Sequence, residues 1–126
     1  MHRSRVSTLL IDVPRERVDA ALDFWTAALG VETSSAPGEP EFTTLHGAVP
    51  SLVTAVQSVD AEPRYHLDIE TDDVDAEHDR LLALGAVDVG RWLGSRTLRV
   101  PGGHLVCVIP VHSDPEEFRT SARLWP

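Results

Sequence analysis

Three titratable side chains stand at alternate positions in the stretch RYHLDIETDD, residues 64–73. His66, Asp68 and Glu70 share one face of the predicted strand, because successive side chains of a strand point to opposite faces. An imidazole beside two carboxylates can hold a metal ion, transfer a proton or bind a ligand. Such a face contacts either bulk water or a cavity in which chemistry or binding takes place.

The two carboxylates of this face define the candidate chemistry of its histidine. Asp68 or Glu70 can orient the His66 imidazole or hold it charged. Glu70 is the candidate general base. Burying an unpaired carboxylate here would cost free energy, so both acids are expected to be hydrated, paired with a cation or bound to a ligand. A structural histidine satisfied by a neighbouring carboxylate is the alternative for His66.

Two further residues are candidates for the same site. Cys107 is the only cysteine, which excludes an internal disulfide and fits a reducing, cytoplasmic compartment. Its neighbours Val106 and Val108 offer no positive charge to activate a thiolate, so a small buried residue is the expectation. Trp92 lies in a predicted strand among arginines and is a candidate wall of a ligand cavity, whereas Trp25 is expected in the core.

Composition excludes several classes of protein. A chain of 126 residues predicts one domain, residues 1–126, with its own core. The net charge is −9, and all 11 basic residues are arginine, which argues against a nucleic-acid partner. No apolar run predicts a membrane span or a secretory signal, so we expect a cytoplasmic protein.

A repeat organises the chain. The segments VDAALDFWTAALGVE, residues 18–32, and VDAEHDRLLALGAVD, residues 74–88, both show the apolar spacing of an amphipathic helix. A predicted strand precedes each helix and about three predicted strands follow it. The chain therefore reads as an α+β fold of two βαβββ modules, at about residues 5–58 and 63–110.

The C-terminal segment, residues 111–126, carries its own pattern. Its Ser-Asp-Pro-Glu-Glu sequence predicts the start of a helix. Its apolar residues Phe118, Leu124 and Trp125 are expected to pack against another surface, because an isolated short helix has marginal stability in water. We expect this segment to dock on its own sheet or across a dimer interface.

The paired modules resemble the vicinal oxygen chelate superfamily, which includes glyoxalase I, extradiol dioxygenases and the bleomycin and fosfomycin resistance proteins. The strongest matches are FWTAALGV at 24–31, YHLDIETDDVDAEHDRLLALGA at 65–86 and RVPGGHLVCVIP at 99–110. More narrowly, the chain resembles the small single-domain glyoxalase-like proteins. The resemblance implies the glyoxalase/bleomycin resistance fold, with a curved mixed sheet around a half-barrel cavity, a small-molecule ligand and a homodimer.

The resemblance also assigns site positions. His66 corresponds to the metal ligand that begins the second module, so its face, with Asp68 and Glu70, is expected to line the cavity. The first-strand ligand falls near Thr8 and the last-strand ligand at Cys107. Thr8 is a poor ligand for a divalent ion, and Cys107 suits zinc rather than magnesium or manganese. His66 is therefore a candidate metal ligand without a complete set.

Two functions follow from these residues. The first is metal-free binding of a small molecule by His66, Asp68, Glu70, Trp92, Thr8 and Cys107. The alternative is a lyase, isomerase or dioxygenase that depends on a divalent metal, such as Zn, Ni, Mn or Fe, held near His66. The sequence names no substrate and leaves open whether the protein is an enzyme or a structural or regulatory module.

Overall fold

The computed structural model describes all 126 residues. The elements in chain order are β1 (His2–Pro14), a 3-10 helix (Arg15–Arg17), α1 (Val18–Leu29), β2 (Thr33–Ser34), β3 (Phe42–Leu45), β4 (Val53–Val59), β5 (Arg64–Thr71), α2 (Val74–Ala83), β6 (Val87–Trp92), β7 (Ser95–Arg99), β8 (Leu105–Pro110), α3 (Pro115–Ser121) and β9 (Arg123–Trp125). The succession of strand, helix and three strands occurs twice. This order confirms the predicted α+β class and its repeated βαβββ pattern.

Local chemistry sets the ends of the two longer helices. Helix α1 ends at Gly30, which adopts φ 65° and ψ 39°. A residue with a side chain would be strained in this left-handed conformation, so glycine is suited to closing the last turn. Helix α2 begins after Asp73, whose carboxylate accepts a hydrogen bond of 3.0 Å from the backbone N–H of Ala76. This cap satisfies one of the free N–H groups of the first turn.

The chain forms two compact units, Thr8–His66 and Met1–Ser7 with Leu67–Pro126. In the first unit, β1 pairs in parallel with β4, and β3 pairs antiparallel with both β2 and β4. Helix α1 covers one face of these strands, where it packs on the core residues Ile11, Val13, Leu45 and Val56. Ile11 and Val13 alternate with Asp12 along β1, so the Asp12 side chain points to the opposite face.

In the second unit, β5 pairs in parallel with β8, and β7 pairs antiparallel with both β6 and β8. Helix α2 packs on a small core of Ala86, Leu98 and Val108. The strand order is β2-β3-β4-β1 in the first unit and β5-β8-β7-β6 in the second, where β9 lies beside the first residues of β1. None of the helices is long and apolar enough to cross a membrane.

The C-terminal segment packs within the second unit. Strand β9 pairs antiparallel with the first residues of β1, from His2 to Ser4. Phe118 of α3 is buried. The indole N–H of Trp125 donates a hydrogen bond of 2.9 Å to Oγ of Ser4, and the Arg80 guanidinium lies 3.7 Å from the centroid of the Trp125 ring. The apolar tail therefore contacts its own chain.

Candidate functional site

A buried aspartate orients the histidine that the sequence singled out. Nδ1 of His66 lies 2.7 Å from Oδ2 of Asp12, and the Asp12 side chain is fully buried. An ionised carboxylate only accepts hydrogen bonds, so Nδ1 carries the hydrogen and Nε2 is the atom that can bind a metal or accept a proton. Carboxylates fix metal-binding histidines in this way.

Sequence reasoning missed Asp12, which is separated from His66 by 54 positions. The sequence signal that could have identified Asp12 is its charge, which interrupts the apolar run of β1. Arg64 is a second residue that the sequence did not select, and its Nε donates a hydrogen bond of 2.9 Å to the same Oδ2. The other oxygen, Oδ1, is buried and has no hydrogen-bond partner. One carboxylate oxygen therefore accepts hydrogen bonds from both Arg64 and His66.

The strand register brings two further candidates beside each other. Asp68 of β5 lies directly opposite Cys107 of β8. His66 precedes Asp68 by two positions on the same strand, which places both side chains on one face. The ligand atoms of His66, Asp68 and Cys107 all lie within 4.8 Å of one another. Sγ of Cys107 also lies 3.6 Å from Oγ1 of Thr97.

These three residues fit a particular kind of metal. Nitrogen, oxygen and sulfur donors together suit zinc, whereas magnesium, calcium and manganese prefer oxygen alone. Ligand atoms lie about 2.0–2.3 Å from a tetrahedral zinc ion, so three atoms that lie within 4.8 Å of one another would have to approach one another by up to about 1 Å to surround it. Three protein ligands also leave one position of a tetrahedral zinc open, as in catalytic sites.

Glu70 contacts a different part of the chain. Its carboxylate lies 2.7 Å from Nε of Arg5 and accepts a bond of 2.7 Å from Oγ of Ser113. The backbone N–H groups of His112 and Ser113 each donate a bond of 3.1 Å. Burial raises the pKa of Glu70, but the hydrogen bonds from Ser113, Arg5 and the backbone outweigh it and leave the pKa below its usual value. Glu70 is thus ionised, and its hydrogen bonds hold the segment that contains His112 and Ser113. A carboxylate with a lowered pKa is a weak proton acceptor.

The remaining predicted site residues have contrasting surroundings. Thr8 is buried in β1, four positions before Asp12 and on the same face. Trp92 ends β6 at the β6–β7 hairpin and is 58% exposed. The next residue, Leu93, adopts a φ of 54°, which is unusual for a residue with a branched side chain. The roles of Thr8 and Trp92 in ligand binding stay predictions.

A family model described as a glyoxalase-like domain matches residues 8–109. The chain therefore belongs to the glyoxalase-like family, within the vicinal oxygen chelate superfamily. The expectation drawn from the sequence segments is confirmed. No curated protein sequence is significantly similar to this chain.

Solved structures agree on the fold. Methylmalonyl-CoA epimerase from Mycobacterium tuberculosis is 17% identical, with a TM-score of 0.54 over 84% of this chain and 87% of that one. An NAD-dependent benzaldehyde dehydrogenase structure from Legionella pneumophila is 12% identical, with a TM-score of 0.63 over 82% and 97%. A Streptomyces coelicolor methylmalonyl-CoA epimerase variant in complex with 2-nitronate-propionyl-CoA is 16% identical, with a TM-score of 0.52 over 86% and 98%. At these identities the likeness shows the glyoxalase/bleomycin resistance fold and no shared activity.

Proposed function

We propose that this glyoxalase-like protein binds a divalent cation of the zinc type through His66, Asp68 and Cys107, and binds a small oxygen-bearing molecule beside it. The proposal depends on one observation, that the three ligand atoms lie within 4.8 Å of one another. The hydrogen bond of 2.7 Å between Asp12 and Nδ1 of His66 supports it, because that bond directs Nε2 to serve as the ligand.

A zinc ion bound there would supply Lewis-acid chemistry, by polarising a carbonyl oxygen of the small molecule. The chain's own residues have separate tasks. Asp12 holds the orientation of His66, and Arg64 holds Asp12 through a bond of 2.9 Å. Glu70 accepts hydrogen bonds from the backbone N–H groups of His112 and Ser113 and so holds the segment that follows β8. The type of small molecule is that of the superfamily, one with adjacent oxygen atoms.

Metal-free binding of a small molecule is the second candidate function. The observation that favours it is the buried Thr8, which stands where the resemblance places a first-strand metal ligand. A hydroxyl at that position binds a divalent ion weakly but readily hydrogen-bonds an organic ligand. In this alternative, His66, Asp68 and Cys107 contact the ligand directly.

Metal analysis distinguishes the two candidates. The protein is purified without an affinity tag, its metal content is measured, and Zn²⁺, Ni²⁺ and Mn²⁺ are titrated by calorimetry. We expect one equivalent of Zn²⁺ per chain in the wild type and its loss in His66→Ala and in Cys107→Ser. Mn²⁺ is expected to bind more weakly than Zn²⁺, because a thiolate is a poor ligand for a hard ion.

His46→Ala is the matched control. His46 is exposed and its Nε2 lies 2.6 Å from Oγ of Ser34, so its loss should leave the metal content unchanged. Absence of stoichiometric metal in the wild type at any tested concentration would exclude the metal-dependent function and leave metal-free binding. Equal metal loss in His46→Ala would show that the bound metal is a surface artefact.

A further inference from the structure

A second concave site lies in the unit Thr8–His66, on the side covered by α1. It is a cavity of about 570 Å³, within the range of about 300–1,000 Å³ that small-molecule sites occupy. Most of its wall is apolar. The lining residues come from the end of β1, the start of α1 and the start of β5, and include Ile11, Val13, Ala20, Ala21, Trp25 and Tyr65.

Two small residues create this space. Ala20 and Ala21 follow each other in the first half of α1, and Trp25 lies about one turn further along the helix. Alanine methyl groups leave room above the strand, whereas the Trp25 indole supplies a large flat wall. Trp25 and Ala21 also pack against the core of this unit, so the wall is held in place by the fold.

The charged groups at the rim indicate the type of ligand. Arg64 lines the cavity with its Nε bonded to Asp12 at 2.9 Å. Arg17 also lines the cavity and forms no ion pair, although the chain carries nine more acidic than basic charges. On its other side Arg17 borders a smaller, polar hollow that Glu16, Asp60 and Glu62 line. Because Arg64 is paired with Asp12, Arg17 is the positive charge of this cavity that can pair with a ligand.

We propose that this cavity binds a small aromatic carboxylate, with its ring between the alanines and Trp25 and its carboxylate at Arg17. An aromatic ring stacks well on an indole and on guanidinium groups. A carboxylate complements Arg17, the arginine of this cavity that forms no ion pair. This site goes beyond the metal function and does not depend on it.

The probe that tests this site is 1-naphthoate, and calorimetry measures its binding. We expect saturable binding of one molecule per chain, with a Kd of about 0.1–1 mM for a ligand of this size. Ala20→Leu places a larger side chain in the cavity and should weaken binding by about tenfold or more. Ala27→Leu, an exposed change further along α1, is the matched control and should bind as the wild type does.

The charge preference is tested separately. Arg17→Gln should weaken 1-naphthoate by about threefold, as expected for a partly exposed ion pair, and should not affect neutral 1-naphthalenemethanol. Arg15→Gln is the control, since Arg15 is paired with Asp60 at 3.2 Å and does not line the cavity. Tighter binding of 1-naphthylmethylammonium than of 1-naphthoate would overturn the proposed ligand type.

Failure of this site and failure of the metal function are distinguishable. Cys107→Ser removes a proposed metal ligand and should leave 1-naphthoate binding unchanged, whereas Ala20→Leu should leave the metal content unchanged. Lack of saturable 1-naphthoate binding by the wild type, or equal binding by Ala20→Leu, would refute the cavity site whatever the metal analysis shows.

Discussion

Asp12 accepts two hydrogen bonds through one carboxylate oxygen, from Arg64 and from His66. Its other oxygen, Oδ1, is buried without a partner. A buried carboxylate oxygen without a hydrogen bond is costly. At the scale of single residues, the orientation of the His66 imidazole therefore depends on Asp12, although the sequence pointed to Asp68 and Glu70 for this task.

Replacing Asp12 tests this dependence. Asp12→Asn keeps the shape of the side chain but removes the charge that fixes the His66 tautomer. We expect Zn²⁺ affinity to fall by about 10- to 100-fold, as for other carboxylates that support metal-binding histidines. Calorimetry measures the affinity, and ¹⁵N NMR of the imidazole reports the tautomer. Asp60→Asn, which changes an exposed aspartate, should alter neither; an unchanged tautomer in Asp12→Asn would contradict the assigned role.

At the scale of elements, helix α2 links the two ends of the chain. Oε1 of Glu77 lies 2.8 Å from Nε2 of His2 in β1, and Arg80, which donates two bonds to Glu77, covers the Trp125 ring of β9. Burial raises the pKa of the Glu77 carboxyl, but the hydrogen bonds from Arg80, His2 and Ser4 outweigh it and lower the pKa to about 2. The buried carboxylate thus contributes to stability only while it is ionised.

The pH dependence of unfolding follows from this shift. Because the folded pKa of Glu77 is depressed to about 2, its contribution is present above its usual pKa near 4.5 and is lost as the pH falls from there to about 2. We expect about 2–3 kcal/mol of the unfolding free energy to disappear over this range. Urea titrations at several pH values measure it.

Glu77→Gln should flatten that part of the profile and lower stability at neutral pH, because the His2 and Arg80 partners lose their anion. Glu39→Gln, an exposed change in a loop, should leave the profile unchanged. A wild-type stability that is constant between pH 5 and about pH 2 would contradict the lowered pKa of Glu77.

The C-terminal segment is a second element whose contribution can be measured. It supplies three donors to Glu70 and buries Phe118. Truncation after His112 would remove the two Ser113 donors, leave Glu70 with Arg5 and the His112 N–H, and expose the surface under Phe118. We expect a loss of at least about 3 kcal/mol in unfolding free energy, since losing two hydrogen bonds to a buried carboxylate and losing one core aromatic each cost this order. An unchanged melting temperature would refute the role of the segment.

At the scale of the whole molecule, apolar side chains remain exposed along β6, the edge strand of the sheet. Val87 is 61% exposed, Val89 48% and Trp92 58%, and Leu93, just after the strand, is 87% exposed. An edge strand carrying exposed apolar residues is a surface on which another chain can pair. The homodimer expected from the superfamily therefore has a candidate surface in β6.

Sedimentation analysis tests the dimer and its surface together. We expect a wild-type mass of twice 13.8 kDa and a shift toward monomer in Val89→Lys, because a charge on an edge strand opposes pairing. Phe24→Lys changes another exposed apolar residue, on α1, and serves as the control. A monomeric wild type would exclude the homodimer, and a dimeric Val89→Lys would exclude β6 as its surface.

The sequence by itself determined the α+β class and the repeated order of elements, because the periods of helices and strands are local properties of the chain. It also placed His66, Asp68 and Glu70 on one face, since alternation within a strand needs no tertiary information. The family resemblance extended this to the sheet architecture, which the fold comparisons confirm.

Only the tertiary structure determined which residues contact the candidate site residues. Whether Asp68 lies opposite Cys107 depends on the register of β5 on β8, and periodicity fixes a face but not a register. The bond between His66 and Asp12 joins positions 54 residues apart, and Glu70 finds its donors in residues 112 and 113. The sequence shows which residues carry carboxylates. Which arginine, histidine or backbone N–H pairs with each carboxylate depends on how the strands and segments pack together.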